Sequence, residues 1–308
     1  MLTRVAFTPF PHIFLFLSLL YGHRLHPRLR FLLFLPQLLL HISVLLLIPA
    51  TNPQNDYIFG VVTFFVLINT SSLFLFTPDP WCLRRLTSPP FTSLSTWNRI
   101  KWAGELATIS RGIGWNFQIT PIFPTLGTTK RSFLLGVVKR ILMLQAIYEV
   151  SLWYLSTVGN TPGVTEDLLQ RVKTSAAMMA WSWHSIEFPY LLFILLCIFT
   201  GLLFLDPRES PQMFGQITQI YSVRRFWGRG WHQGLRRMFQ VHGRWVAGKL
   251  GAKKGGKVAG YIQVWVAFAI SGVGHAWGFM RWIIGGVGVD GGVLFGTGGR
   301  DNVRRCGD

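Results

Sequence analysis

The sequence contains several apolar stretches of about 20 residues, and they constrain the fold more than any other feature. A helix needs about 20 mostly apolar residues to cross a bilayer. Predicted spans cover residues 5–20, 31–49, 57–76, 137–157 and 258–284, and residues 176–205 hold a further span that Pro189 kinks or divides. Only 14% of residues are charged, whereas soluble domains average about 25%. The predicted fold class is all-α, a polytopic transmembrane helix bundle with interfacial amphipathic helices.

The net charge of +18 has two interpretations. It is typical either of a nucleic-acid binder or of cationic loops beside lipid headgroups and anionic small molecules. The apolar spans favour the second, so we expect membrane lipids and no nucleic acid as partners. Basic and non-basic loops alternate between the spans, and the loop over residues 206–257 is the most basic. The positive-inside rule places that loop in the cytosol and the N-terminus in the lumen of a multi-pass protein.

Two histidines are candidates for chemistry. His275 lies within an apolar span, where an ionisable side chain is costly and marks either a functional site or a polar contact with a neighbouring helix. His232 lies in the basic loop among Trp and Arg side chains, a composition that also suits an interfacial helix in the headgroup layer. The three cysteines have no short spacing, so neither a metal site nor a disulfide framework is predicted.

Three motifs occur in a fixed order near the C-terminal end. They read P-Q-M-F-G at residues 211–215, S-V-R-R-F-W-G-R-G-W-H-Q-G-L-R at residues 222–236 and S-G-V-G-H-A-W-G at residues 271–278. Together they resemble the wax synthase branch of the membrane-bound O-acyltransferases, and the likeness covers roughly residues 75–280. The stretch R-G-I-G-W-N-F at residues 111–117 resembles the fungal members, which often acylate terpenoids and other secondary-metabolite alcohols.

The resemblance implies a function and a site. His275 would be the general base toward the acceptor hydroxyl, with His232 and Trp231 lining the other side of the reaction chamber. The phosphates of coenzyme A would be held from the cytosol by guanidinium groups, with Trp231 beside them. These are Arg224, Arg225, Arg229, Arg236 and Arg237. We expect acyl-CoA, with acetyl-CoA favoured, as co-substrate, no permanently bound cofactor, and a lipophilic alcohol acceptor at the endoplasmic reticulum.

The predicted domains are N-terminal transmembrane helices over residues 1–76, a wax synthase-like acyltransferase domain over 77–284 and a Gly-rich tail over 285–308. Family members usually continue with further spans after the catalytic helix, so the tail indicates a truncated or misread end, or a shortened form. Three alternatives to acetyl transfer stay open. They are a synthase of long-chain wax esters, a truncated inactive relative and, with less support because no internal repeat is visible, a transporter.

Overall fold

A computed structural model describes residues 10–47, 53–109, 111–119, 126–127, 129–158, 167–201 and 212–287. Within these ranges the chain forms eight helices of 12 residues or more. They are α1 (Phe10–Tyr21), α2 (Phe34–Leu47), α3 (Pro53–Phe74), α4 (Thr96–Thr108), α5 (Lys130–Val158), α6 (Leu168–Thr200), α7 (Arg236–Lys249) and α8 (Lys257–Val287). The described residues hold no strand, only an isolated antiparallel bridge between Arg85 and Trp115. The all-α prediction is confirmed.

Four helical stretches of the described chain are long and apolar enough to cross a membrane: Pro27–Leu47, Asp56–Phe74, Leu168–Thr200 and Lys257–Met280. They confirm four of the predicted spans as candidate membrane helices.

Two other predicted spans have a different outcome. The predicted span 5–20 falls partly outside the described residues, and α1 covers its later part. The predicted span 137–157 is helical within α5, but α5 is not among the four, so its membrane crossing stays a prediction.

Helix α6 is continuous through Pro189, so of the two predicted outcomes the division of the segment is wrong, and the kink stays a prediction. Proline is tolerated in apolar helices of membrane proteins because neighbouring groups satisfy the freed carbonyl. Both ends of α6 carry ordinary helix caps. The Asp167 side chain accepts a hydrogen bond from the Gln170 backbone N–H, and Gly201 ends the helix at φ +64°, a conformation that favours glycine.

The chain forms two compact units. The first comprises Met1–Leu15, Arg28–Thr77 and His242–Asp308, and the second comprises Phe16–Pro27 and Pro78–Val241. The predicted domain division at residues 76 and 284 stays a prediction. Helix α8 extends to Val287, and residues 288–308 of the predicted Gly-rich tail lie outside the described residues.

In the first unit, α3 packs against α8 along much of its length and against α2 more briefly. Helix α3 is apolar, yet it carries a polar stretch near its C-terminal end. The hydroxyls of Thr70, Ser71 and Ser72 donate to carbonyls three or four residues earlier in the same helix. These bonds satisfy the hydroxyls inside the helix, which is how a span accommodates serine and threonine.

In the second unit, α5 and α6 pack along a shared apolar seam. Its fully buried members are Phe133, Val137 and Leu144 on α5, and Leu191 and Ile194 on α6. They recur at three, four and seven residues, the spacing that places side chains on one face of a helix. The seam fixes the register of α5 on α6 and thereby the placement of the polar groups on these two helices.

Candidate active site

His275 lies on α8 where that helix packs against α3. The Tyr57 hydroxyl is 2.5 Å from its Nδ1, and the two rings are stacked with centroids 6.1 Å apart and planes 16° apart. The His275 side chain is otherwise exposed at the surface of its unit. One ring nitrogen is therefore held by Tyr57, and Nε2 is the nitrogen left for another molecule.

Two glycines of α8 allow this close approach. A Cβ on Gly274 would lie 2.8 Å from Cδ1 of Phe64. A Cβ on Gly278 would lie 2.6 Å from Cγ2 of Val61 and 2.7 Å from the backbone oxygen of Tyr57. Since Gly274 and Gly278 are four apart, they share a face of α8 and form a small-residue strip on which α3 rests. Glycines near His275 thus admit the backbone of a neighbouring helix.

In the second unit, two of the sequence motifs form one local structure. The Gly215 N–H donates to the Gly230 carbonyl over 3.0 Å, and the Gln233 N–H donates to the Met213 carbonyl over 3.1 Å. A Cβ on Gly215 would lie 1.9 Å from the backbone oxygen of Arg229, so only glycine fits there. The described part of that motif, residues 212–215, is therefore a backbone partner of the block at residues 222–236.

His232 lies half-buried beside aromatic rings of this motif pair. Its ring centroid is 5.8 Å from that of Phe214 and 5.7 Å from that of Trp231. The Trp231 ring packs edge-on against Phe214 at 5.3 Å, and the Trp231 backbone N–H donates to the Phe226 carbonyl at the end of a π-helical turn. Such π-turns occur often at functional sites. The local packing gives His232 an apolar wall on one side.

A buried carboxylate supports that wall. Glu187 on α6 is fully buried, and its Oε2 accepts hydrogen bonds from Arg140 over 2.9 Å and from the Trp183 indole N–H over 2.5 Å. The Trp183 ring then packs against Phe214 at 5.8 Å. The ion pair of Arg140 and Glu187 thus holds Trp183, and Trp183 in turn packs on Phe214, which lies beside His232. A second polar group of α6, His184, bonds separately to Gln145 on α5.

The five arginines predicted to bind phosphate divide into two kinds. Arg224 and Arg229 are exposed, and Arg225 lies with its guanidinium 4.5 Å over the Tyr221 ring. Arg236 instead donates to the Gly228 carbonyl and to Gln233 Oε1, and burial, with the nearby Arg229 charge, lowers its pKa. The exposed pair is suited to an anion arriving from solvent.

Arg237 is buried and packs inside its unit, so it differs from the exposed arginines. It is 4% exposed, with its guanidinium 4.5 Å over the Phe117 ring. Burial lowers the pKa of Arg237 to about 10 because desolvation disfavours the charged form. The contact joins the residue that directly follows the block at residues 222–236 to the R-G-I-G-W-N-F segment. Arg111 of that segment also donates to the Gln212 carbonyl over 3.0 Å, so three motif regions meet.

The structure places the two candidate histidines in different units, His275 in the first and His232 in the second. Sequence reasoning missed Tyr57 and the pairing of Arg140 with Glu187. A tyrosine near the end of a span resembles an interfacial anchor, which concealed its contact with residue 275, 218 positions later. The sequence did carry a signal for the pair of Arg140 and Glu187. An arginine and a glutamate lie in consecutive apolar helices, where charged side chains are costly unless they are paired.

Comparison with known proteins shows what the chain is similar to. The model of the membrane bound O-acyl transferase family matches residues 210–295, a segment that includes His232 and His275. An acetyltransferase of Rhodocybe pseudopiperita is 33% identical over 186 residues, which are 58% of this chain and 48% of the relative. An acetyltransferase of Hericium erinaceus is 29% identical over 269 residues, 82% of this chain and 68% of that protein.

An O-mevalon transferase of Penicillium terrestre is 29% identical over 203 residues, which are 61% of this chain and 47% of that protein. The chain thus spans about half the length of the first and third of these relatives and about two thirds of the second. No solved structure matches the chain. The resemblance inferred from the motifs is confirmed.

Proposed function

We propose that this relative of the membrane-bound O-acyltransferases transfers an acyl group from acyl-CoA to the hydroxyl of a lipophilic alcohol. The observation that carries the proposal is the placement of His275 in a candidate membrane helix, with Nδ1 held by Tyr57 and Nε2 left for a substrate. A hydroxyl becomes a competent nucleophile when a base takes its proton during attack on a thioester carbonyl. Neutral imidazole, with an ordinary pKa near 6.5, suits that role.

The donor is proposed to be acetyl-CoA and the acceptor a terpenoid or another secondary metabolite. Two of the relatives are named acetyltransferases, which supports a short donor, and a third is named an O-mevalon transferase, which keeps a larger polar acyl group as a second candidate. The exposed Arg224 and Arg229 are proposed to contact the coenzyme A phosphates, with Arg225, Arg236 and Trp231 nearby. An endoplasmic reticulum location is proposed because acyl-CoA is available at its cytosolic face.

His232 is proposed to stabilise charge that develops on the thioester oxygen. Its half-buried ring lies beside the Phe214 and Trp231 rings, and a hydrogen bond to an oxyanion is strongest in surroundings of low polarity. Arg237 is proposed to hold the motif segments together, since its guanidinium is buried against Phe117.

The test uses microsomes that contain the chain or its His275→Ala variant at matched expression. Labelled acetyl-CoA, a mevalonyl thioester or palmitoyl-CoA is offered with a panel of terpenoid and fatty alcohols. We expect ester from the unchanged chain and at least a 100-fold loss in His275→Ala, because general base catalysis contributes about 10²–10⁴. His26→Ala, which removes an exposed histidine outside the spans, is the matched control and should retain activity.

The preferred donor separates the candidates. Ester from acetyl-CoA supports the proposal, ester from the mevalonyl thioester supports the second candidate, and ester from palmitoyl-CoA supports a wax ester synthase. Ester that forms equally in His275→Ala would refute the role of this histidine. A complete lack of ester from every donor and alcohol would refute acyl transfer by this chain and favour an inactive relative.

A further inference from the structure

Tyr57 makes the closest polar contact to His275 in the described residues, and it belongs to none of the motifs that carry the family resemblance. It lies near the start of α3, 218 positions before the histidine, and reaches it because α3 packs on α8. The stacked rings and the 2.5 Å separation of hydroxyl and Nδ1 fix both the plane of the imidazole and the nitrogen that is engaged.

The position of Tyr57 is set by the helix that carries the histidine. Gly278 is three residues after His275 and so lies on the same face of α8. A Cβ at position 278 would lie 2.7 Å from the Tyr57 backbone oxygen and 3.0 Å from its Cδ2. Tyr57 therefore occupies the space that a side chain at position 278 would fill. The position of Tyr57 relative to His275 thus depends on the glycine at 278.

We propose that Tyr57 is a positioning residue that selects the tautomer of His275, and this inference rests on the proposed acyl transfer. Neutral imidazole carries one proton, on either Nδ1 or Nε2. Only the Nδ1–H tautomer leaves Nε2 with a lone pair that can take a proton. Tyr57 selects this tautomer when its oxygen accepts the hydrogen bond from Nδ1–H, as the orienting acceptor does in other catalytic histidines.

The reaction then proceeds with Tyr57 unchanged. The alcohol oxygen forms a bond to the thioester carbonyl carbon while Nε2 takes the hydroxyl proton. The imidazolium that results donates two hydrogen bonds, and its Nδ1–H still points at the Tyr57 oxygen. The carbon–sulfur bond breaks, the sulfur takes the proton from Nε2, and the products are an ester and free coenzyme A thiol. His275 returns to the starting tautomer.

The first part of the test is kinetic. Tyr57→Phe keeps the stacked ring and removes the oxygen. We expect kcat to fall about 10- to 100-fold, the loss typical for a hydrogen bond to a group that becomes charged, with the KM for acyl-CoA changed less than about twofold. Tyr261→Phe removes an exposed hydroxyl elsewhere on α8 and is the matched control, which should behave as the unchanged chain. Equal kcat in Tyr57→Phe and Tyr261→Phe would overturn the inference.

The second part does not depend on activity. Nitrogen NMR of the full chain with isotope-labelled histidine reports which ring nitrogen carries the proton, and His275→Ala identifies the signal of His275 by its loss. We expect the Nδ1–H tautomer in the unchanged chain and a mixture in Tyr57→Phe. An Nε2–H tautomer in the unchanged chain, or the same signal in both proteins, would overturn the inference even if esters form. Esters that never form, with the tautomer as expected, would overturn the proposed function and leave the hydrogen bond established.

Discussion

Gly278→Ala tests whether the packing of α8 on α3 sets the geometry at His275. The added Cβ would lie 2.7 Å from the Tyr57 backbone oxygen, about 0.7 Å short of ordinary contact, which begins at 3.4 Å. A backbone atom cannot rotate away as a side chain can, so one helix must shift. Overpacking of this kind costs about 1–3 kcal/mol. Displacement of reacting groups by about 1 Å costs about 100-fold in rate, so we expect activity to fall about 10- to 100-fold.

Gly272→Ala is the matched control on the same helix. A Cβ at position 272 meets no atom within 4 Å. Both substitutions gain the same intrinsic helix propensity, about 1 kcal/mol, so their difference isolates the steric effect at Gly278. In detergent-solubilised full chain, we expect Gly278→Ala to melt about 2–6 °C below Gly272→Ala. Equal melting temperatures and equal ester formation in the two variants would refute the reasoning that this glycine admits Tyr57.

Further predictions concern the second unit. Glu187→Gln removes the carboxylate charge from the buried pair with Arg140 and should lower the unfolding free energy by about 3–5 kcal/mol, measured by thermal or denaturant unfolding. The control Glu149→Gln, at an exposed position, should change the unfolding free energy by less than about 0.5 kcal/mol. Combined Arg224→Ala and Arg229→Ala should raise the KM for acyl-CoA, and added salt should shrink the difference from the unchanged chain because exposed charges are screened; an unchanged KM would contradict the phosphate role. Burial lowers the pKa of Arg237 from its ordinary value to about 10, so above pH 10 the unfolded state binds more protons than the folded state. The unfolding free energy should therefore rise with pH in that range, a rise that Arg237→Met should lack in unfolding titrations.

The helical architecture could be predicted from the sequence because membrane helices leave a local signal. Each apolar run must satisfy its own backbone within one segment, so composition over about 20 residues is enough to find it. The effect of Pro189 on its helix was harder to predict from the sequence. Proline within an apolar run has two outcomes, a break or a continuous helix, and neighbouring groups decide between them.

The site could be predicted in part. The motifs located His232 and His275, and their order indicated the family that the chain resembles, but the roles of both residues stay predictions. Tyr57 could not be found, because its contact with His275 depends on the register of α3 against α8 and no local pattern encodes that register. The sequence also could not show which of the arginines are exposed and which are buried. Arg237 and Arg236 are neighbours in the sequence, yet only the former is buried on an aromatic ring.

We propose that the chain couples thioester cleavage to ester formation through His275. The most direct measurement is single turnover of the purified full chain in lipid nanodiscs, with acyl-CoA and the preferred alcohol, following free thiol and ester together. We expect one ester for each thiol released, and loss of both products in His275→Ala. Thiol release without ester, or equal product from the variant, would contradict it.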